Sequence, residues 1–233
     1  MSSRRTFVTG IGLVSPHGDD LDDVFERVFA GASAVRVVQP DPDRPGTMLL
    51  APVECDSDHL IPKLAGRFMA RASKMAVVAA HHALEASDLL VSGAGPTEAG
   101  IYMGCGLGGS EALQEHYARY FANPRKRLRA ATTPMIMASG PASHVSMRFG
   151  ISGPTMTCSM ACVSSAAAIG EAFRAIRHGY GDTALAGGAE GQLNTGTLAS
   201  WRERGHSCTR GRELGSCQRG RATCRDRGVR HRE

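Results

Sequence analysis

The chain has 233 residues, 42% of them hydrophobic, which is ample for a packed core in one or two domains. Its net charge of +5 is uneven: residues 201–233 hold ten Arg against four acidic residues, a net of +6, whereas residues 1–200 hold 17 basic and 18 acidic ones, so the body shows no basic balance that would call for nucleic acid. No window reaches about 18 uninterrupted apolar residues, Met-Ser-Ser-Arg-Arg carries no signal-peptide core, and the seven cysteines are odd in number, so a cytoplasmic protein with reduced thiols and no membrane span is expected.

In chain order, Thr6 to Val14 reads as an apolar strand entering a turn, Ser15-Pro16-His17-Gly18. Gly10 and Gly12 invite a dinucleotide reading, but the third glycine of that fingerprint would fall at Ser15, so no nucleotide site is expected. Asp19 and Asp20 can cap a helix carrying Leu21, Val24, Phe25 and Val28, which Gly31 ends. Residues 36–62 are proline-rich and loop-like around a short strand, Thr47 to Val53. His59 lies among Glu54, Asp56 and Asp58, but the spacing matches no standard ligand set and no metal is expected.

From Arg67 to Leu89 the pattern is helical, with Met75, Val78, Ala79, His82 and Leu89 broadly on one face. Arg67, Arg71 and Lys74, at spacings of four and three, share another, ordinarily a solvated basic face. His81 and His82 read as helix-surface and core residues rather than catalysts. A strand, Gly100 to Gly104, then enters Cys105-Gly106-Leu107-Gly108-Gly109, where so many glycines imply close backbone approach. No Gly-Lys-Ser or Gly-Lys-Thr follows, which excludes a Walker loop.

Arg125-Lys126-Arg127-Leu128-Arg129 is a basic loop without the interleaved aromatics that stack on bases. Thr133 and Pro134 can open a helical segment, interrupted at Gly140 and Pro141 before a second runs to Phe149 and closes at Gly150. Thr155 to Met160 reads as a strand. After Cys162, the apolar residues Ala166, Ile169, Phe173 and Ile176 fall at helical gaps, and Gly179 ends that helix with Arg174, Arg177 and His178 in its last turns. Cys162 thus lies at a helix N-terminal end, where unpaired N–H groups and the helix dipole favour thiolate, the nucleophilic form, and can hold an oxyanion. By spacing alone it is equally a small packing residue, as Cys158 in the strand is read to be.

The stretch Met160-Ala161-Cys162-Val163-Ser164-Ser165, its small-residue helix and Ala184-Leu185-Ala186-Gly187-Gly188-Ala189-Glu190 resemble the active-site region of β-ketoacyl synthases, the condensing enzymes of fatty-acid and polyketide synthesis. Val163 stands where the family usually has Ser, Thr or Ala. Val8-Thr9-Gly10-Ile11-Gly12 with Ser15-Pro16 resembles the family's opening, and Pro134 to Pro154 its segment just upstream of the cysteine. The resemblance implies a layered thiolase-like α/β fold, of which residues 1–201 supply the first of two similar halves. It implies Cys162 as the nucleophile that carries the acyl chain as a thioester, its backbone N–H being one oxyanion donor. It implies acyl carrier protein as partner, delivering the chain on its own phosphopantetheine with no cofactor bound here, and docking on Arg67, Arg71 and Lys74. A homodimer or a ketosynthase partner subunit is a further implication. The two catalytic histidines, the lysine and the second oxyanion segment belong to the family's other half, and His17, His59, His81, His82, His116, His144 and His178 lie in no matching motif.

The resemblance ends at Trp201. Residues 202–233 have no Ile, Phe or Met and no helix or strand period, and Cys208, Cys217 and Cys224 fit no common zinc spacing. We expect a disordered tail read out of frame: Gly228-Val229-Arg230-His231-Arg232 can be back-translated so that a one-base shift gives Gly-Phe-Val-Ile-Gly, a phrase resembling the family's downstream sequence. A truncated or non-catalytic partner subunit is the alternative function.

Overall fold

The computed structural model describes residues 4–40, 46–55, 57, 59–123, 125 and 127–210. Its centre is a parallel three-stranded sheet in the order β4 (Thr155–Cys158), β3 (Gly100–Gly104), β5 (Ala184–Gly188). In register, Gly104 at the end of β3 stands between Cys158 and Gly188. Strand β3 is buried along its whole length, and its side chains alternate as a strand's must. Ile101 and Met103 enter a core shared with helices α3 (Arg71–Ala86) and α6 (Gly140–Phe149), through Val77, Val78, Val145 and Phe149. Tyr102 points the other way, onto Ala168 and Ala172 of α7 (Ser164–His178). The result is helix, sheet, helix, the layered α/β arrangement expected.

Local chemistry sets the boundaries. Asp20 caps α1 (Leu21–Phe29) by accepting from the Asp23 N–H, and Gly150 and Gly179 close α6 and α7 in the left-handed conformation. At Gly179 two bonds, from its own N–H to Ile176 and from Tyr180 to Ala175, satisfy the last carbonyls.

Several expectations require correction. The N-terminal segment forms no ladder among the described residues. Phe7 and Val8 are 71% and 82% exposed, and the segment instead lies along α3. A Cβ built on Gly10 or Gly12 would stand 2.2 or 2.0 Å from the Ala83 or Ala79 carbonyl oxygen, so that glycine pair serves close helix approach. The helix expected over 67–89 begins only at Arg71, as α3, after a separate short helix α2 (Lys63–Gly66), and α3 stops at Ala86 because Asp88 turns left-handed at φ 56°. The loop-like region holds a two-stranded ribbon, β1 (Arg36–Val38) against β2 (Met48–Leu50). Helix α4 (Ser110–Ala122) follows the glycine loop where no helix was expected. Gly140 and Pro141 open α6 rather than interrupting a helix, and the break after α5 (Thr132–Ile136) falls at Met137–Ser139, before them. Proline at a helix start loses no hydrogen bond. Helix α8 (Thr195–Arg210) runs past Trp201, the point where the tail was set apart, while the disorder expected of 211–233 lies outside the described residues. Among the described residues no helix is long and apolar enough to cross a membrane.

Candidate active site

Beyond Cys158 the chain leaves β4 through Ser159, whose hydroxyl donates to the Gly106 carbonyl at 3.2 Å. It then turns sharply at Ala161, held at φ 50°, and delivers Cys162 within a single 3-10 turn, Ala161–Val163, directly ahead of α7. The helix expected after Cys162 begins at Ser164, and Cys162 lies just outside its first turn. Helix α7 can sit so low on the sheet because a Cβ on Gly104 would be 2.3 Å from the Ser164 carbonyl carbon, and one on Gly188 would be 2.7 Å from the Ser165 Cβ. Glycine at both strand ends is what makes room for the first turn.

Cys162 opens into a cleft of about 840 Å³. Its walls come from the end of β3 (Gly104 to Leu107), the segment after β5 (Gly188 to Leu193), Ala51 and Val53 beside β2, Arg71 and Met75 of α3, and Trp201 of α8. Glu190 braces one wall: its Oε2 accepts from the N–H groups of Gly106 at 2.7 Å and Leu107 at 3.3 Å. That fixes the glycine loop from across the cleft. Two thiols share this space but not its chemistry. Cys105 is buried, and its thiol is pushed up to about 11, first by burial and then by the Glu190 carboxylate. Of Cys55, Cys105, Cys158 and Cys162, Cys55 and Cys158 are half-buried, and Cys162 alone is exposed. The arrangement presents one accessible thiol to an apolar-walled cleft.

The three basic residues do not share one helix face. Arg67 is the exposed C-cap of α2, in front of the break; Arg71 is the first residue of α3, reaches the Val53 carbonyl and lines the cleft; Lys74 is half-buried. The Arg71 N–H donates to Glu111 Oε1 at 2.6 Å, so a carboxylate from α4 caps α3, whose N-cap residue, Ala70, has none to offer. Near Arg67, the Arg129 guanidinium lies 6.0 Å from the Phe68 ring.

None of the seven histidines set aside above lines the cleft. His81 stacks on Phe149, its burial holding its pKa below the ordinary histidine value; His116 Nδ1 pairs with the Thr132 hydroxyl at 2.8 Å; burial likewise lowers His144. Asp56 and Asp58, read beside His59, lie outside the described residues, among which no three His, Cys, Asp or Glu gather as metal ligands. Sequence reading assigned no role to Glu190, Glu111, Ser164 or Trp201. Glu190 and Ser164 carried a signal, as the last residue of the Gly-Gly-Ala-Glu phrase and as a member of the motif around Cys162.

The family model "Beta-ketoacyl synthase, N-terminal domain" matches residues 3–229, extending past Trp201. Nodulation protein E of Rhizobium leguminosarum bv. trifolii is 32% identical over 200 residues, covering 85% of this chain and 50% of that protein. The 3-oxoacyl-[acyl-carrier-protein] synthase 2 of Staphylococcus aureus (strain N315) is 26% identical over 202 residues, covering 85% and 49%. Among solved structures, the ishigamide ketosynthase/chain length factor superposes with a TM-score of 0.78 at 23% identity, covering 88% of this chain and 51% of that one. The chain spans about half the length of these relatives.

Proposed function

This chain belongs to the β-ketoacyl synthase family, and from that premise we propose that it accepts an acyl group from acyl carrier protein onto Cys162, as the first step of a decarboxylative condensation. The observation that carries the reading is Cys162 itself: an exposed cysteine, just ahead of α7, opening into the cleft. Its sulfur would attack the thioester carbonyl of the acyl-phosphopantetheine arm. A new C–S bond forms, the bond to the carrier's sulfur breaks, and the carrier leaves as its free thiol. The Cys162 backbone N–H would meet the oxyanion formed between those events. Condensation then needs a malonyl thioester to lose carbon dioxide and its carbanion to attack the acyl-Cys162 carbonyl, expelling the thiolate. With no described histidine in the cleft, the groups that stabilise that developing charge would come from beyond these residues, as the resemblance assigns them. The natural setting we propose is fatty-acid or polyketide synthesis.

Incubation with an acyl-loaded carrier protein, followed by mass mapping, tests the reading. Cys162 is expected to carry the acyl group before Cys105 or Cys158 does; preferential modification of either of those would remove the assignment.

Carrier docking is the second part of this proposal. The carrier's acidic surface would meet Arg67, which is exposed, with Arg71 at the cleft mouth receiving the arm; half-buried Lys74 would contribute less. Arg67→Glu is expected to weaken carrier binding about tenfold at low salt, with the difference shrinking as salt rises, measured by titration calorimetry. Equal binding by both proteins at low salt would exclude Arg67 from the docking surface.

A second reading, a non-catalytic subunit that works only against a partner ketosynthase, is favoured by the apolar residues left facing water near the cysteine and along α7: Met160, Val163, Ile169 and Phe173. An unaltered dimer or partner complex in which Cys162 never becomes acylated would select it.

A further inference from the structure

We propose that Ser164 is a positioning residue for Cys162, its hydroxyl fastening the strained turn that aims the thiol into the cleft. The inference rests on Cys162 being the acyl acceptor. Ala161 holds φ 50°, the left-handed region, where a residue with a Cβ is disfavoured. No glycine stands there to remove that strain, so something else must hold the turn. Ser164 Oγ accepts from the Met160 N–H at 2.8 Å and donates to the Ala161 carbonyl at 2.7 Å. One hydroxyl therefore grips the backbone on both sides of the strained residue.

The grip is itself anchored. Ser164 is the first residue of α7 and only 5% exposed, and Gly104 lies directly beneath its backbone. Hydroxyl, turn and glycine seat form one unit whose free end is Cys162. A hydroxyl is needed at position 164 because both a donor and an acceptor are used there; alanine offers neither. Water is a poor substitute at a residue so little exposed.

The test measures iodoacetamide labelling rates at each cysteine of the full chain by mass mapping, for the native protein, Ser164→Ala, Ser164→Thr and the double variant Ala161→Gly/Ser164→Ala. Ser164→Ala is expected to slow Cys162 about tenfold through misplacement of the thiol, while Cys55 and Cys158, which report general opening, change far less. Threonine keeps the hydroxyl and is expected to restore the rate. Glycine at 161 takes the left-handed conformation without strain, so the double variant should recover part of the loss even where threonine's methyl is not accommodated. An unchanged Cys162 rate in Ser164→Ala, equal changes at all thiols, or rescue by neither route would overturn the inference. A native protein whose Cys162 reacts no faster than Cys105 would instead overturn the acyl-acceptor reading, and this inference with it.

Discussion

Replacing Cys162 by alanine is expected to lower acyl uptake from the carrier by at least about a thousandfold at pH 7.5, because no other thiol in the cleft can take its place. Cys105 is the nearest in kind, lying in the same cleft, but it is buried and its pKa stands at about 11. At pH 7.5 only about three in ten thousand of its molecules would be thiolate, and the thiolate is the nucleophile. The sign of the pH dependence follows. Each unit of rise between pH 7.5 and 10 should increase the residual labelling of Cys162→Ala about tenfold, all of it on Cys105. Mass mapping of the variant across this range reads both points. Uptake by Cys162→Ala at near-native rate, or residual label on Cys158, would show that the nucleophile lies elsewhere.

The site was legible in the sequence wherever one local pattern carried it. Helical gaps after Cys162 and Gly179 at the far end fix α7 within a few residues, and so place the cysteine at its N-terminal end. Gly150 likewise marks the end of α6, and Asp20 the start of α1. What was not legible depends on residues far apart in the chain. Glu190 bonds to amides at 106 and 107, and Glu111 caps a helix that begins 40 residues earlier; neither partner can be read from spacing. Arg67, Arg71 and Lys74 satisfy a helical period yet are split by the break before α3, since a period reports what a helix would do if one formed across all three. The apolar N-terminal run reads as a strand because pattern encodes burial preference and not a ladder partner. Only the structure shows that its glycines press on α3.

Gly104→Ala is expected to damage both stability and acyl uptake, whereas Gly187→Ala, on neighbouring β5, is expected to do neither. The contrast follows from space alone. A Cβ on Gly104 would meet the Ser164 carbonyl carbon at 2.3 Å, the Ser165 nitrogen at 2.4 Å and the Ser164 oxygen at 2.5 Å, all backbone atoms of the turn that follows Cys162. Backbone cannot rotate aside as a side chain can, so α7 must lift from the sheet. A Cβ on Gly187 meets nothing within 4 Å. Overpacking of this kind costs about 1–3 kcal/mol or more, equivalent to a fall in Tm of roughly 2–4 °C per kcal/mol for a chain of this size. Because the lifted turn is the one that bears the thiol, a displacement of about 1 Å could slow acylation by about a hundredfold. Thermal unfolding and carrier loading, measured side by side on the two variants, separate the effects. A Gly104→Ala protein that melts with Gly187→Ala and loads at its rate would mean that α7 does not rest on this glycine, and the placement of Cys162 would need another foundation.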